Sequence, residues 1–81
     1  MVPNPVTNVL GVRFSTAARG LVRAAIINSL GRQVLAETML VQEGEHYLEM
    51  DVSSLPEGSF RLFLLPERQK AQSCSFVKMR P

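Results

Sequence analysis

The chain has 81 residues, enough for one domain, and a domain of this size buries only about 60% of the surface that its unfolded form exposes. Such a core has little room for a deep catalytic cleft. The formal net charge is +2, and the basic side chains are scattered, with few aromatic residues between them, which argues against a nucleic-acid surface.

Cysteine and histidine, which often serve as nucleophiles or metal ligands, occur only once each in the chain. Cys74 is the single cysteine, which excludes an internal disulfide, and its alternating surroundings favour a buried thiol. His46 is the only histidine, has no metal-ligating residues at suitable spacing, and is expected on a strand surface. No nucleophile elbow, cofactor motif, signal peptide or membrane-spanning stretch is recognisable, so neither an enzyme nor a membrane helix is predicted.

Apolar residues recur with a period of two, and turn residues interrupt them at intervals of about 8–12 residues. The alternation predicts strands at residues 7–14, 21–28, 32–41, 46–52, 59–65 and 73–79. Six or seven short antiparallel strands in a chain of this length predict an all-β sandwich, in which two sheets pack face to face.

The segment ahead of the first strand is poor in hydrogen-bond donors, because Pro3 and Pro5, on either side of Asn4, have no N–H. It cannot be a central strand, and it is predicted to protect a sheet edge, with a linker junction as the alternative. The second predicted strand, in contrast, is apolar on both faces apart from Arg23, which is typical of a central strand.

Three glycines are predicted to form chain reversals. Gly31 ends the Asn-Ser-Leu-Gly turn between the second and third strands, where a positive φ lets the chain reverse. Gly44 lies in the turn before the fourth strand, and Gly58 introduces the fifth. Between those two strands Leu55 is predicted to fill one end of the core, and Phe60 begins the inward row of the fifth strand.

Two interpretations compete for the last strand. Phe76 and Val77 are predicted as ordinary core residues, whereas Lys78 and Arg80, on either side of Met79, present outward charges that a partner could bind. The alternation alone leaves both interpretations open.

Four segments of the chain occur together in a recognisable order and spacing. They are Pro-Asn-Pro at 3–5, Asn-Ser-Leu-Gly-Arg-Gln-Val at 28–34 with Gly44 in the next turn, Met-Asp-Val-Ser-Ser-Leu-Pro-Glu-Gly-Ser-Phe at 50–60, and Phe-Val-Lys-Met at 76–79. With these segments the chain resembles, over essentially its whole length, the C-terminal sorting domain of type IX secretion cargo. It departs from the usual pattern in lacking an aromatic residue before Pro3 and in carrying Phe60 where tyrosine is usual.

The resemblance implies an Ig-like antiparallel sandwich, so that residues 1–81 form a single sorting domain and a fragment of a larger cargo protein. It implies no catalysis and no cofactor. It also implies transit through the periplasm, recognition by an outer-membrane translocon, and removal by a sortase-like cysteine protease with attachment of the cargo to the cell surface. The residues expected to be recognised are Phe76, Val77, Lys78, Met79 and Arg80.

Two further expectations concern binding surfaces. A fibronectin-like adhesion or carbohydrate-binding module would use the same architecture and would need exposed aromatic rings, for which Tyr47 and Phe63 are the candidates. Removal from the cargo would also expose the first and last strands, so two copies are expected to pair by their edges or to exchange strands.

Overall fold

The computed structural model describes residues 6–80, which contain six strands and no helix. The strands are β1 (Val9–Thr16), β2 (Gly20–Asn28), β3 (Gln33–Val41), β4 (Gly44–Asp51), β5 (Gly58–Pro66) and β6 (Gln72–Lys78). All six predicted strands are confirmed, with small shifts at their ends. The predicted edge segment Pro3, Asn4 and Pro5 lies outside the described residues.

The strands form two antiparallel sheets. One is two-stranded, in the order β1-β4, and the other is four-stranded, in the order β3-β2-β5-β6. The all-β class is therefore confirmed, and the arrangement is consistent with a β-sandwich. β2 lies between β3 and β5, as its apolar sequence predicts for a central strand.

One hydrophobic core joins the inward rows of both sheets. The two-stranded sheet contributes Leu10, Val12, Phe14, Leu48 and Met50, and the four-stranded sheet contributes Val22, Ala24, Ile26, Val41, Phe60, Leu62, Leu64 and Phe76. Connecting segments add Val6, Val52 and Leu55. The rings of Phe60 and Phe76 stack with their centroids 5.6 Å apart, and Leu55 is buried in the same core.

The β2–β3 hairpin closes as its sequence predicts. Gly31 has φ 81°, and its amide donates a hydrogen bond of 3.0 Å to the Asn28 carbonyl. The Asn28 side-chain oxygen also accepts hydrogen bonds from the amides of Leu30 and Arg32. Gly44 and Gly58 also have positive φ, and each is the first residue of its strand, directly after a chain reversal.

The chain changes sheet near its beginning. Val6 forms a parallel bridge with Lys78 beside β6, and the chain then crosses to β1 in the other sheet. The Val6 amide donates to the Val77 carbonyl, and the Met79 amide donates to the Val6 carbonyl, both at 2.8 Å. This end of β6 is therefore covered by backbone pairing and is not an open edge.

Candidate functional site

The terminal strand alternates between the core and solvent. Phe76 is buried and Lys78 is only 3% exposed, whereas Val77 and Met79 are 36% and 42% exposed. The expectation of an outward Lys78 and a core Val77 is therefore wrong. The reason is the period of two: a strand that turns Phe76 inward must turn Lys78 inward as well and Val77 outward.

Lys78 lies at the end of the core, where the register places it opposite Gly58 and where it bridges to Val6. Because Gly58 has no side chain, the lysine stem does not compete for space with a partner at that position. The Nζ atom donates a hydrogen bond of 3.1 Å to the Met79 carbonyl. Lys78 thus buries its aliphatic stem and satisfies its ammonium group locally, as long cationic side chains do at the margins of apolar regions.

Arg80 is the outward cation at this end of the domain. Its Nε lies 2.8 Å from Oε1 of Glu57, and both side chains are well exposed. An exposed ion pair of this kind contributes little stability, about 0–1 kcal/mol, so Arg80 remains accessible to a partner. Sequence reasoning did not identify Glu57, because its approach to Arg80 depends on the pairing of β5 with β6.

The segment before Glu57 has its own hydrogen-bonded turn. The Asp51 carboxylate accepts hydrogen bonds from the Ser53 hydroxyl at 2.6 Å and from the Ser53 amide at 2.9 Å. These two bonds lower the pKa of Asp51 below its usual value. The Asp-Val-Ser sequence at 51–53 therefore forms the turn that takes the chain from β4 towards Leu55.

His46 makes contacts that hold neighbouring parts of the fold together. Its Nε2 lies 2.6 Å from the Gln42 carbonyl, which also accepts a hydrogen bond from the buried Thr16 hydroxyl, and its ring lies 5.4 Å from Phe14. These contacts tie β1 and β4 to the corner after β3. Within residues 6–80, no three His, Cys, Asp or Glu side chains come together at a spacing that could hold a metal ion.

Cys74 is partly buried and packs against the core cluster, which agrees with the expected buried thiol only in part. Desolvation raises the pKa of this thiol above its ordinary value. A raised pKa leaves less thiolate at neutral pH, so the environment of Cys74 disfavours a nucleophilic role.

The two aromatic candidates for a sugar platform do not come together. Tyr47 is 60% exposed on the outward side of the two-stranded sheet, where its ring covers Gly11 so closely that a Cβ there would overlap it. Phe63 is half-buried and lies opposite Ala25 on the outward side of the four-stranded sheet. The rings therefore occupy opposite faces of the sandwich.

Comparison with known protein families identifies the class. Residues 1–78 match the family described as the secretion system C-terminal sorting domain, and the chain belongs to this family. No curated protein and no solved structure gives a significant match. The domain is a C-terminal sorting signal for type IX secretion, and the adhesion-module alternative is not favoured.

Membership of this family indicates where the protein that carries this domain is directed. A type IX sorting signal interacts with the secretion machinery and directs the protein that carries it to the outer membrane and to the cell surface or the extracellular space. The family is one of sorting signals and is not known for enzymatic activity. Among residues 6–80, no helix is both long and apolar enough to span a membrane.

Proposed function

We propose that residues 1–81 form one sorting domain, which the outer-membrane translocon recognises in its folded form through the outward side of β6 and the residues that follow it. The proposal is supported by the fact that this segment has exposed side chains and is also held firmly in the core. Met79 and Arg80 are exposed, while Phe76 and Lys78 hold the same segment in the core. A partner that binds here meets an ordered surface and loses little conformational entropy on binding.

In this proposal the domain has no catalytic activity and needs no cofactor. The cargo crosses the periplasm with the domain attached, a sortase-like cysteine protease cleaves the chain upstream of residue 1, and the cargo is attached to the cell surface. The two backbone hydrogen bonds of Val6 hold the entering chain against β6 at a defined position.

The experiment fuses residues 1–81 to a periplasmic reporter in a type IX-competent strain and measures delivery to the cell surface. Arg80→Ala and Glu57→Ala form a matched pair, because both remove the 2.8 Å ion pair and only the first removes the terminal cation. We expect Arg80→Ala to reduce delivery and Glu57→Ala to leave it unchanged. Both purified domains should keep their stability within about 0.5 kcal/mol, as exposed substitutions usually do.

A second variant tests the apolar part of the same surface. Met79→Gln keeps the length of the exposed side chain and makes it polar, and it should add to the effect of Arg80→Ala. Failure of the unmodified fusion to reach the surface would contradict the sorting function itself. Normal delivery of a folded double variant would contradict recognition through the terminal strand and leave the sorting function intact.

A further inference from the structure

The two outward faces of the sandwich carry opposite charges. The outward positions of β1 and β4, here called the acidic face, hold the charged residues Arg13, Glu45, Glu49 and Asp51. The outward positions of the four strands β3, β2, β5 and β6, here called the basic face, hold Arg23 and Arg61 and no carboxylate among the described strand residues. Arg23 is oriented there by a hydrogen bond of 2.8 Å from its Nη2 to Gln33 Oε1.

The basic face also exposes an apolar patch. Leu21 lies directly opposite Leu40 on β3, and Leu65 lies opposite Arg23 on the other side of β2. The three leucines are 45%, 57% and 40% exposed. Contiguous exposed apolar side chains rimmed by charge are typical of protein interaction sites. The basic face is therefore complementary to a partner surface that exposes apolar side chains among carboxylates.

The acidic face of the same molecule is such a surface. Along β4 the exposed ring of Tyr47 stands between Glu45 and Glu49. On β1 the exposed Val9 lies directly opposite Asp51. Each face thus places apolar side chains beside charges, and the net charge is negative on the acidic face, where Arg13 is the one cation among three carboxylates, and positive on the basic face.

We propose that the basic face of one copy docks on the acidic face of a second copy. The contact uses different surfaces on the two partners, so it is head-to-tail and leaves one face free on each copy to bind another. This association goes beyond the sorting function and does not depend on it.

Edge pairing through β3 is disfavoured by the position of Glu37. β3 is an edge of the four-stranded sheet, and Glu37 lies at the centre of Gln33–Val41. Antiparallel pairing of two β3 strands about their centres would place the two Glu37 carboxylates opposite each other, which is destabilising. Charged side chains on edge strands are a common protection against such pairing.

The size of the face limits the strength of the contact. The smaller partner surface is the acidic face, whose two eight-residue strands, about 4.8 Å apart with residues rising about 3.3 Å, give an area on the order of 250 Å², below the roughly 800 Å² per partner of a standard stable interface. The association is therefore weak and reversible. It also weakens with salt, because exposed charges are screened over about 10 Å at 0.1 M ionic strength.

Sedimentation velocity of the purified 81-residue chain tests the proposal from micromolar to millimolar concentration, at low and at high salt. The expected result is a reversible rise in sedimentation coefficient with concentration, reduced by salt. Arg23→Glu combined with Arg61→Glu, and separately Glu45→Arg combined with Glu49→Arg, should each weaken self-association by about tenfold or more through like-charge contacts. Because the two variants restore opposite charges to each other, their equimolar mixture should associate again.

The control for the basic-face variant is Arg19→Glu combined with Lys70→Glu, which makes the same change in net charge at exposed loop positions and should leave association unchanged. Leu40→Ser is a charge-neutral variant on the edge strand that should also weaken self-association.

A wild-type chain that stays monomeric throughout overturns the proposal, and so does a mixture of the two charge-reversal variants that fails to associate. Increased association of Glu37→Ala with no effect of the charge reversals would identify edge pairing.

Discussion

Lys78 is a charged residue whose contribution to this fold is mostly apolar. Its backbone pairs with Gly58 on one side and with Val6 on the other, and the side chain is directed inward with almost no exposed surface. The ammonium group has a carbonyl partner on Met79, so the stem can replace an aliphatic core residue at the end of the sandwich. Shortening the Lys78 side chain removes packing from the core, so a substitution there is unsuitable for testing surface recognition.

We expect Lys78→Ala to lower the free energy of unfolding by about 2–4 kcal/mol, the range seen when long buried side chains are cut to alanine. Lys78→Met keeps the unbranched stem and should cost less than about 1.5 kcal/mol. Urea denaturation of both variants measures the difference. Equal and negligible losses would mean that the stem does not contribute to the core.

Cys74 gives a pH dependence with a defined sign. Burial raises the pKa of the folded thiol, so the folded state holds its proton more tightly than the unfolded chain does. The resulting stability is fully present below the pKa of the unfolded thiol and is lost as the pH rises through the pKa of the folded one. We expect wild type to lose more stability than Cys74→Ala between neutral and alkaline pH, measured by urea midpoints. Parallel curves for the two proteins would contradict this.

At the scale of elements, the β2–β3 hairpin depends on the backbone conformation of Gly31. Gly31 has φ 81° and no neighbouring atom within 4 Å of the position a Cβ would take, so a substitution there meets backbone strain and no steric clash. Asn28 completes the turn with its side-chain oxygen, which binds two backbone amides. The local sequence therefore specifies both the reversal and the register of the strands it joins.

Gly31→Ala should destabilise the domain by roughly 1–2 kcal/mol, the penalty of a left-handed conformation for a residue with a Cβ. Gly31→Asn should cost less, because asparagine tolerates this region better than other residues. Thermal or urea unfolding of the pair measures the effect. An alanine variant as stable as wild type would show that the turn can adopt another conformation.

At the scale of the whole molecule, the chain is closed by pairing its beginning with its end. Val6 bonds to the backbone of Val77 and Met79, so β6 has a partner on both sides at this point, and the buried ring of Phe76 stacks on Phe60. These contacts connect the crossover into β1 with the last strand of the other sheet. The stability of the domain therefore depends on residues close to its C-terminal end.

Truncation before Phe76 should unfold the domain and abolish export of a fused reporter. A domain of this size has a stability of about 4–12 kcal/mol, and the loss of one core phenylalanine alone costs about 3–5 kcal/mol. Truncation after Met79 is the control for folding alone, because it keeps β6 and the bonds of Val6 but removes Arg80, so its export should still be reduced. Circular dichroism melting of both proteins measures the outcome, and a cooperative, near-normal transition of the shorter chain would contradict the expectation.

The local pattern of the sequence determined the strands, the inward rows such as Leu10, Val12 and Phe14, and the turn glycines, because side-chain alternation and turn conformation depend on near neighbours. The same parity, applied strictly from Phe76, also assigns Lys78 to the core. Apart from the β2–β3 hairpin, only the tertiary structure decided which strands share a sheet, as it also decided the approach of Glu57 to Arg80 and the opposite net charges of the two faces. These features arise from pairing between segments far apart in the chain, and the alternation within one strand carries no information about the register of another.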